Sequence, residues 1–213
     1  MKVKWLGHAS FLITADDGTR IITDPYEPND SLKYGEINEA ADVVTTSHGH
    51  SDHNNVKAVQ GSPQVMEKSG EIKGIRFESI SAYHDDSSGS QRGANTIFYF
   101  EVDGIRVCHL GDLGHPLDDA AVGKIGKVDV LLLPVGGFFT IDAAVATGVM
   151  EKLSPAIVIP MHFSNDRCTF PIKGVDEFLR GKENVTRLGV SEAEFHAGQL
   201  PNVTQIVLLE PAL

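Results

Sequence analysis

The sequence has little of what marks a secreted, membrane-bound or nucleic-acid-coating protein. Two cysteines in 213 residues, Cys108 and Cys168, cannot make a disulfide framework. Cys108 falls inside an apolar run and reads as a small core residue, while Cys168, soon after His162, is a minor candidate ligand. The opening Met1-Lys2-Val3-Lys4-Trp5 holds no apolar run of signal-peptide length, and no window reaches the length of a membrane span. A reducing cytoplasm is therefore the expected setting. Positive charge is scarce as well: 18 Lys and Arg against 29 Asp and Glu leave a net charge of −11. Such a field repels bulk nucleic acid and anionic membrane surfaces. Heptads, low-complexity tracts and linkers are missing, which argues for a single domain over residues 1–213. The hydrophobic content of 41% and charged content of 22% are those of an ordinary globular chain.

Histidine is what the chain has. Its densest stretch is Thr46-Ser47-His48-Gly49-His50-Ser51-Asp52-His53, with small spacers that let the backbone fold tightly. Alternate side chains of an extended segment share a direction, so His48, His50 and Asp52 are expected to converge on one point. His53, one step out of phase, faces a neighbouring point if the chain turns into a helix. Imidazole and carboxylate donors suit Zn²⁺, and also accept Mn or Fe.

The pattern of apolar residues predicts strands at 3–5, 11–14 and 20–23, the last two joined by an Asp16-Asp17-Gly18-Thr19 turn. Residues 25–41 read as a polar surface loop bordering the active site, and 54–60 as the start of a helix closed by Gly61. Short strands near 64–66 and 72–73 precede a longer one from 75 to 82. Asp103-Gly104 predicts a hairpin between strands at 96–102 and 105–110. Helices are expected at 117–125, 142–153 and 175–179, with strands at 128–133, 156–160 and 204–209. On this reading Asp24, His48, His84, Asp112 and His162 each follow an apolar strand. Reactive groups collect at such strand ends, where a rigid sheet holds loops.

These five positions, in order, resemble the motifs of the metallo-β-lactamase superfamily, whose signature His-X-His-X-Asp-His stands here as residues 48–53. The segment Trp5-Leu6-Gly7-His8-Ala9-Ser10 is similar to one in the branch of ascorbate-6-phosphate lactonases and N-acyl-phosphatidylethanolamine phospholipases D. The resemblance implies an α+β fold, a four-layer αβ/βα sandwich with two mixed β-sheets and two divalent metal ions in its cleft. It implies that His48, His50 and His84 bind one metal and Asp52, His53 and His162 the other. Asp112 would bridge both, with Asp24 supporting a ligand from behind. Asp52 and Asp112 thereby become catalytic candidates as well as ligands. The chemistry implied is hydrolysis of a small-molecule ester, lactone or phosphodiester by water whose pKa the metals lower from 15.7 to about 7. Bound cations also reverse the local charge, which admits an anionic substrate. A metallo-nuclease of the same fold and a non-catalytic, metal-stabilised binding module are the alternatives. The sequence leaves the oligomeric state open.

The remaining candidates are less determined. His8 is expected to contact substrate or donate a proton late in the reaction, or to make a structural hydrogen bond. His109, at an odd offset from Asp112, is expected to pack in the core on the opposite face. His115 is placed between substrate contact and helix entry, and His196 on the surface. Asp85 and Asp86 either add to the metal site or, as the more ordinary reading, form a solvated acidic loop. Arg92 is expected to pair with one of them, or to bind a phosphate or carboxylate. Gly136-Gly137 either offers N–H groups to an oxyanion or ends a strand.

Overall fold

The strands expected from apolar alternation form, and two further ones join them. A computed structural model describes all 213 residues. In chain order the strands are β1 (Lys2–Gly7), β2 (Ser10–Thr14), β3 (Arg20–Thr23), β4 (Val43–Thr45), β5 (Gln64–Met66), β6 (Gly70–Ile72) and β7 (Ile75–Tyr83). They continue with β8 (Ala94–Val102), β9 (Ile105–His109), β10 (Val130–Pro134), β11 (Ile157–Met161), β12 (Val185–Arg187), β13 (Glu192–Glu194) and β14 (Gln205–Leu208). Three helices, α1 (Asp119–Ile125), α2 (Ala143–Leu153) and α3 (Asp176–Leu179), lie in the second half.

The strands make two mixed sheets, in the orders β13-β1-β2-β3-β4-β5 and β12-β14-β11-β10-β9-β8-β7-β6. This is the α+β sandwich implied by the resemblance. Hairpins build the antiparallel parts. Between β8 and β9, Asp103 and Gly104 both have positive φ, 52° and 72°, the geometry that suits a tight two-residue turn. The parallel pairs β9–β10 and β10–β11 require crossovers, which α1 and α2 supply. Asp118 and Asp142 cap these helices by accepting hydrogen bonds from first-turn amides.

Both faces of the first sheet are buried, and the period of two shows how. Val3, Trp5, Phe11, Ile13, Ile21 and Val43 join the main core. The intervening Leu6, Leu12, Ile22 and Val44 enter a second cluster with Tyr26, Leu32, Tyr34 and Ile37. Residues 25–41 are the expected surface loop, whose Glu27 amide donates to the Ser51 carbonyl within the donor stretch, but they do more than border it. Four apolar side chains within them form a packed cover over the outer face of the sheet. The expected helix at 54–60 is also reduced, to a 3₁₀ turn at Val56–Ala58 with no side-chain cap. The unexpected strands, β12 and β13, are three residues long and sit at sheet edges, where short polar strands limit further pairing.

Six loops converge at one end of the sandwich: those after β1, β3 and β4 of the first sheet, and those after β7, β9 and β11 of the second. They carry His8, Asp24, the 48–53 stretch, His84, Asp112 and His162. The cover has a measurable role in stability. Leu32 is fully buried in the outer cluster, so Leu32→Ala should cost about 2–5 kcal/mol in urea unfolding, the range for a leucine truncated in a packed core.

Candidate metal centre

The 48–53 stretch does not remain extended. The His53 amide donates to the His50 carbonyl at 3.0 Å, curling the chain. The ligand atoms consequently fall into separate groups, each within 4.8 Å. His48, His50 and His84 form one; Asp52, His53 and His162 form another, which His8 joins. The expected convergence of Asp52 with His48 and His50 is corrected by this turn. Asp112 lies at the junction, its Oδ2 being 3.1 Å from His84 Nε2, 3.2 Å from His53 Nε2 and 3.3 Å from His162 Nε2.

Asp24 determines how two of the rings point. Its Oδ1 accepts from the Ser47 amide at 2.7 Å, and its Oδ2 accepts from the Ser47 hydroxyl at 2.5 Å and from His53 Nδ1 at 2.8 Å. Ser47 has one hydroxyl proton, and the carboxylate takes it. His48 Nδ1, 2.9 Å from Ser47 Oγ, must then donate. Both His48 and His53 are thereby protonated on Nδ1, with the Nε2 lone pairs free to face the centre. Asp24 is also within ligand distance of His48 and His53, but these three hydrogen bonds commit its oxygens to positioning.

The donor set fits divalent cations. His53 Nε2 and Asp112 Oδ1 are buried at the junction with no hydrogen-bond partner, and His84 and His162 turn Nε2 toward Asp112. His48 Nε2 and His50 Nδ1 face each other at 3.0 Å; one proton could serve that pair, whereas a cation satisfies both lone pairs. Buried polar atoms left unpaired are costly, and a metal is the partner that imidazole and carboxylate share. Within the protein the groups partly compensate one another. Burial alone would raise the Asp112 pKa, but His162 and His53 hold it well below the carboxylate range. Burial alone would lower the His53 pKa, but Asp112 and Asp24 hold it well above the ordinary value.

His8 is fully buried behind the ligands, with Nε2 3.3 Å from Asp52 Oδ2 and its ring 4.1 Å from that of His162. It lines neither cavity beside the donors, and both its ring nitrogens lack a hydrogen-bond partner. His109 Nε2 donates to the Ala9 carbonyl and its Nδ1 accepts from the Gly111 amide, so neither nitrogen is free for a metal. His115 is occupied by Tyr83 and Pro116 backbone atoms, and His196 lies on the surface near Glu194. Cys108 and Cys168 are buried and unpaired, outside the ligand groups.

The loop after β7 is organised differently from the expectation. Asp86 is exposed, but Asp85 is buried and accepts from the amides of Ser87, Gly89, Gln91 and Arg92 at 2.8–3.0 Å. Burial alone would raise its pKa, yet these four bonds hold it at about 2. The Arg92 guanidinium pairs with neither aspartate and lies over the Phe139 ring, 5.6 Å from its centroid. Gly137 does not serve an oxyanion, because its amide donates to the Ile141 carbonyl. At Gly114 a methyl group would collide with the His84–Asp85 backbone, so only glycine allows this loop to brace His84.

Sequence reasoning missed Asn95, Phe139 and Phe170. Asn95 donates to the Leu110 carbonyl and accepts from the Asp112 amide at 2.9 Å each, fixing the backbone of the junction carboxylate. An amide side chain inside the apolar strand β8 was its signal. Phe139 and Phe170 wall the cleft beside His50, Asp52, His84 and Asp112.

The fold is that of the metallo-β-lactamase superfamily. The beta-lactamase superfamily domain profile matches residues 2–162, and the chain belongs to that superfamily. Within it, the chain belongs to the UPF0173 metal-dependent hydrolase family. It is 31% identical to the family member of Korarchaeum cryptofilum over 89% of this chain and 93% of the relative. It is 30% identical to that of Archaeoglobus fulgidus over 81% of this chain and 85% of the relative. A crystal structure from Thermotoga maritima, named for a zinc-dependent hydrolase of the superfamily, superposes with TM-score 0.80 at 36% identity, covering 98% of each chain.

Two measurements address this geometry. Asp24→Asn should weaken metal affinity about 10- to 100-fold in competition with a chelator, the usual effect of removing a ligand's outer partner. Asp85→Asn should speed amide exchange at Ser87, Gly89, Gln91 and Arg92. In the unchanged protein that protection should hold above pH 4 and fade towards pH 2, because the folded pKa of about 2 lies below the ordinary 3.8.

Proposed function

We propose that this metal-dependent hydrolase holds two divalent ions, zinc foremost with manganese or iron as substitutes, and cleaves a small-molecule ester, lactone or phosphodiester. The observation that carries the reading is the meeting of two donor groups at Asp112 Oδ2. His48, His50 and His84 would hold one ion and Asp52, His53 and His162 the other, with Asp112 placed to serve both. Such ions acidify water and polarise a substrate oxygen. The chain's own contribution is to aim and dry the donors. Asp24 and Ser47 fix ring tautomers, Asn95 fixes the Asp112 backbone, and Gly114 brings its loop against His84. His8 is a positioning residue, holding Asp52 from behind.

The acidic surface and absence of a basic cluster favour a small substrate over RNA or DNA. No helix is long and apolar enough to cross a membrane. Two buried free thiols suit the reducing cytoplasm, where we place the protein.

The test is metal analysis together with turnover on a panel of esters, lactones and phosphodiesters. His48→Ala and Asp112→Ala should each abolish bound metal and activity, and chelation should reversibly remove activity. Turnover unchanged in either variant overturns the reading.

A further inference from the structure

Two cavities open beside the donors and meet at His50 and Arg92. One, of about 260 Å³, has Phe139 and Phe170 as its apolar wall and Arg92 as its sole cation. The other, of about 390 Å³, is polar, with Asn54, Glu67 and Thr96 in its lining. The size and the mixture of apolar wall with few charged groups fit a small-molecule site.

Arg92 is held by its backbone and leaves its side chain unspent. Its amide donates to Asp85 Oδ2 at 2.8 Å, as part of the four-amide clasp that orders this loop. Its guanidinium makes no ion pair and no hydrogen bond within the protein; its contact is the Phe139 face. The fork therefore presents its five N–H donors to the cleft. Arg92 is half-exposed and stands in a cleft that Asp52, Asp112 and Glu67 also line, with no ion pair to any of them. A planar guanidinium recognises a carboxylate or phosphate oxyanion in two-point fashion. Phe139 and Phe170, edge-to-face at 5.8 Å, extend from that point as an aromatic surface.

We propose that Arg92 is the specificity-determining residue of the cleft, selecting a small substrate that carries an oxyanion next to an apolar group. The oxyanion seats on the guanidinium and the apolar group on Phe139 and Phe170, leaving the bond to be cleaved over the donors. The assignment of that bond rests on the hydrolase reading above; the recognition of the anion does not.

The test uses zinc-loaded full-length protein and calorimetric titration with phenylphosphonate, phenylacetate and neutral benzyl alcohol, for the unchanged chain, Arg92→Gln and Arg92→Lys. The first two probes separate phosphate-like from carboxylate anchoring. Arg92→Gln should weaken one or both anions about 10- to 100-fold, as expected for a lost charge-assisted hydrogen bond, and leave benzyl alcohol unaffected. Arg92→Lys should recover part of the loss, and added salt should narrow the difference. Phe139→Ala should weaken phenylphosphonate more than inorganic phosphate. The Asp85 clasp engages the backbone of residue 92, so an unchanged thermal midpoint is expected for Arg92→Gln.

Anions that bind Arg92→Gln as tightly as the unchanged chain overturn the proposal, as does equal loss of the neutral probe or failure of the unchanged chain to bind either anion. Ester turnover indifferent to residue 92 overturns the anchor and leaves the hydrolase reading standing. Selective anion loss without turnover of any ester, lactone or phosphodiester supports the anchor and overturns the hydrolase reading.

Discussion

The carboxylate of Asp24 is the constraint on which the centre depends. It is fully buried at the end of β3, and three hydrogen bonds tie it to the loop that follows β4. Because it accepts from both Ser47 Oγ and His53 Nδ1, two imidazoles receive their tautomers from a single group. Neither ring is free to offer the wrong nitrogen. The parallel pairing of β3 with β4 sets the two strand ends side by side, so sheet register determines the chemistry of the rings.

Three of the residues where the six strand ends meet are strained. His8, Asp24 and His162 all have φ between 38° and 52°, a region that costs a non-glycine residue about 1–3 kcal/mol. That cost is tolerated because the surroundings over-determine each position. His162 donates its amide to the His8 carbonyl at 3.2 Å, and the Trp5 indole donates to the same oxygen at 3.0 Å. The first of these bonds joins the end of β1 in the first sheet to the end of β11 in the second, and the other holds the His8 carbonyl within the β1 end. With the His109–Ala9 and Thr96–Ser47 hydrogen bonds, the His162–His8 bond ties the two sheets together beside the donors.

The positions of the donors were legible in the sequence because two signals coincide there. Apolar alternation marks each strand, and an imidazole or carboxylate follows its end. Both hairpin turns were legible through Asp and Gly. The apolar cover within 25–41 was not legible because Tyr26, Leu32, Tyr34 and Ile37 are spaced irregularly among polar residues, and irregular burial leaves no period. Asp85 was misread for a related reason: a carboxylate serving backbone amides looks, in sequence, like one serving solvent. The turn that separates Asp52 from His48 and His50 depends on a bond between His53 and His50, which no propensity of Ser51 or Gly49 prescribes.

The cleft divides into a part that performs chemistry and a part that chooses its substrate. Donors stand at strand ends and are braced from behind by Asp24, Asn95 and Gly114. The aromatic wall comes from loops, Phe139 after β10 and Phe170 after β11, and Arg92 comes from the loop that Asp85 clasps. Loops tolerate exchange of exposed side chains far better than strands tolerate a shifted ligand. A change at residue 92, 139 or 170 therefore alters which molecule enters while leaving the donor geometry intact. A change at residue 24 or 95 does the reverse.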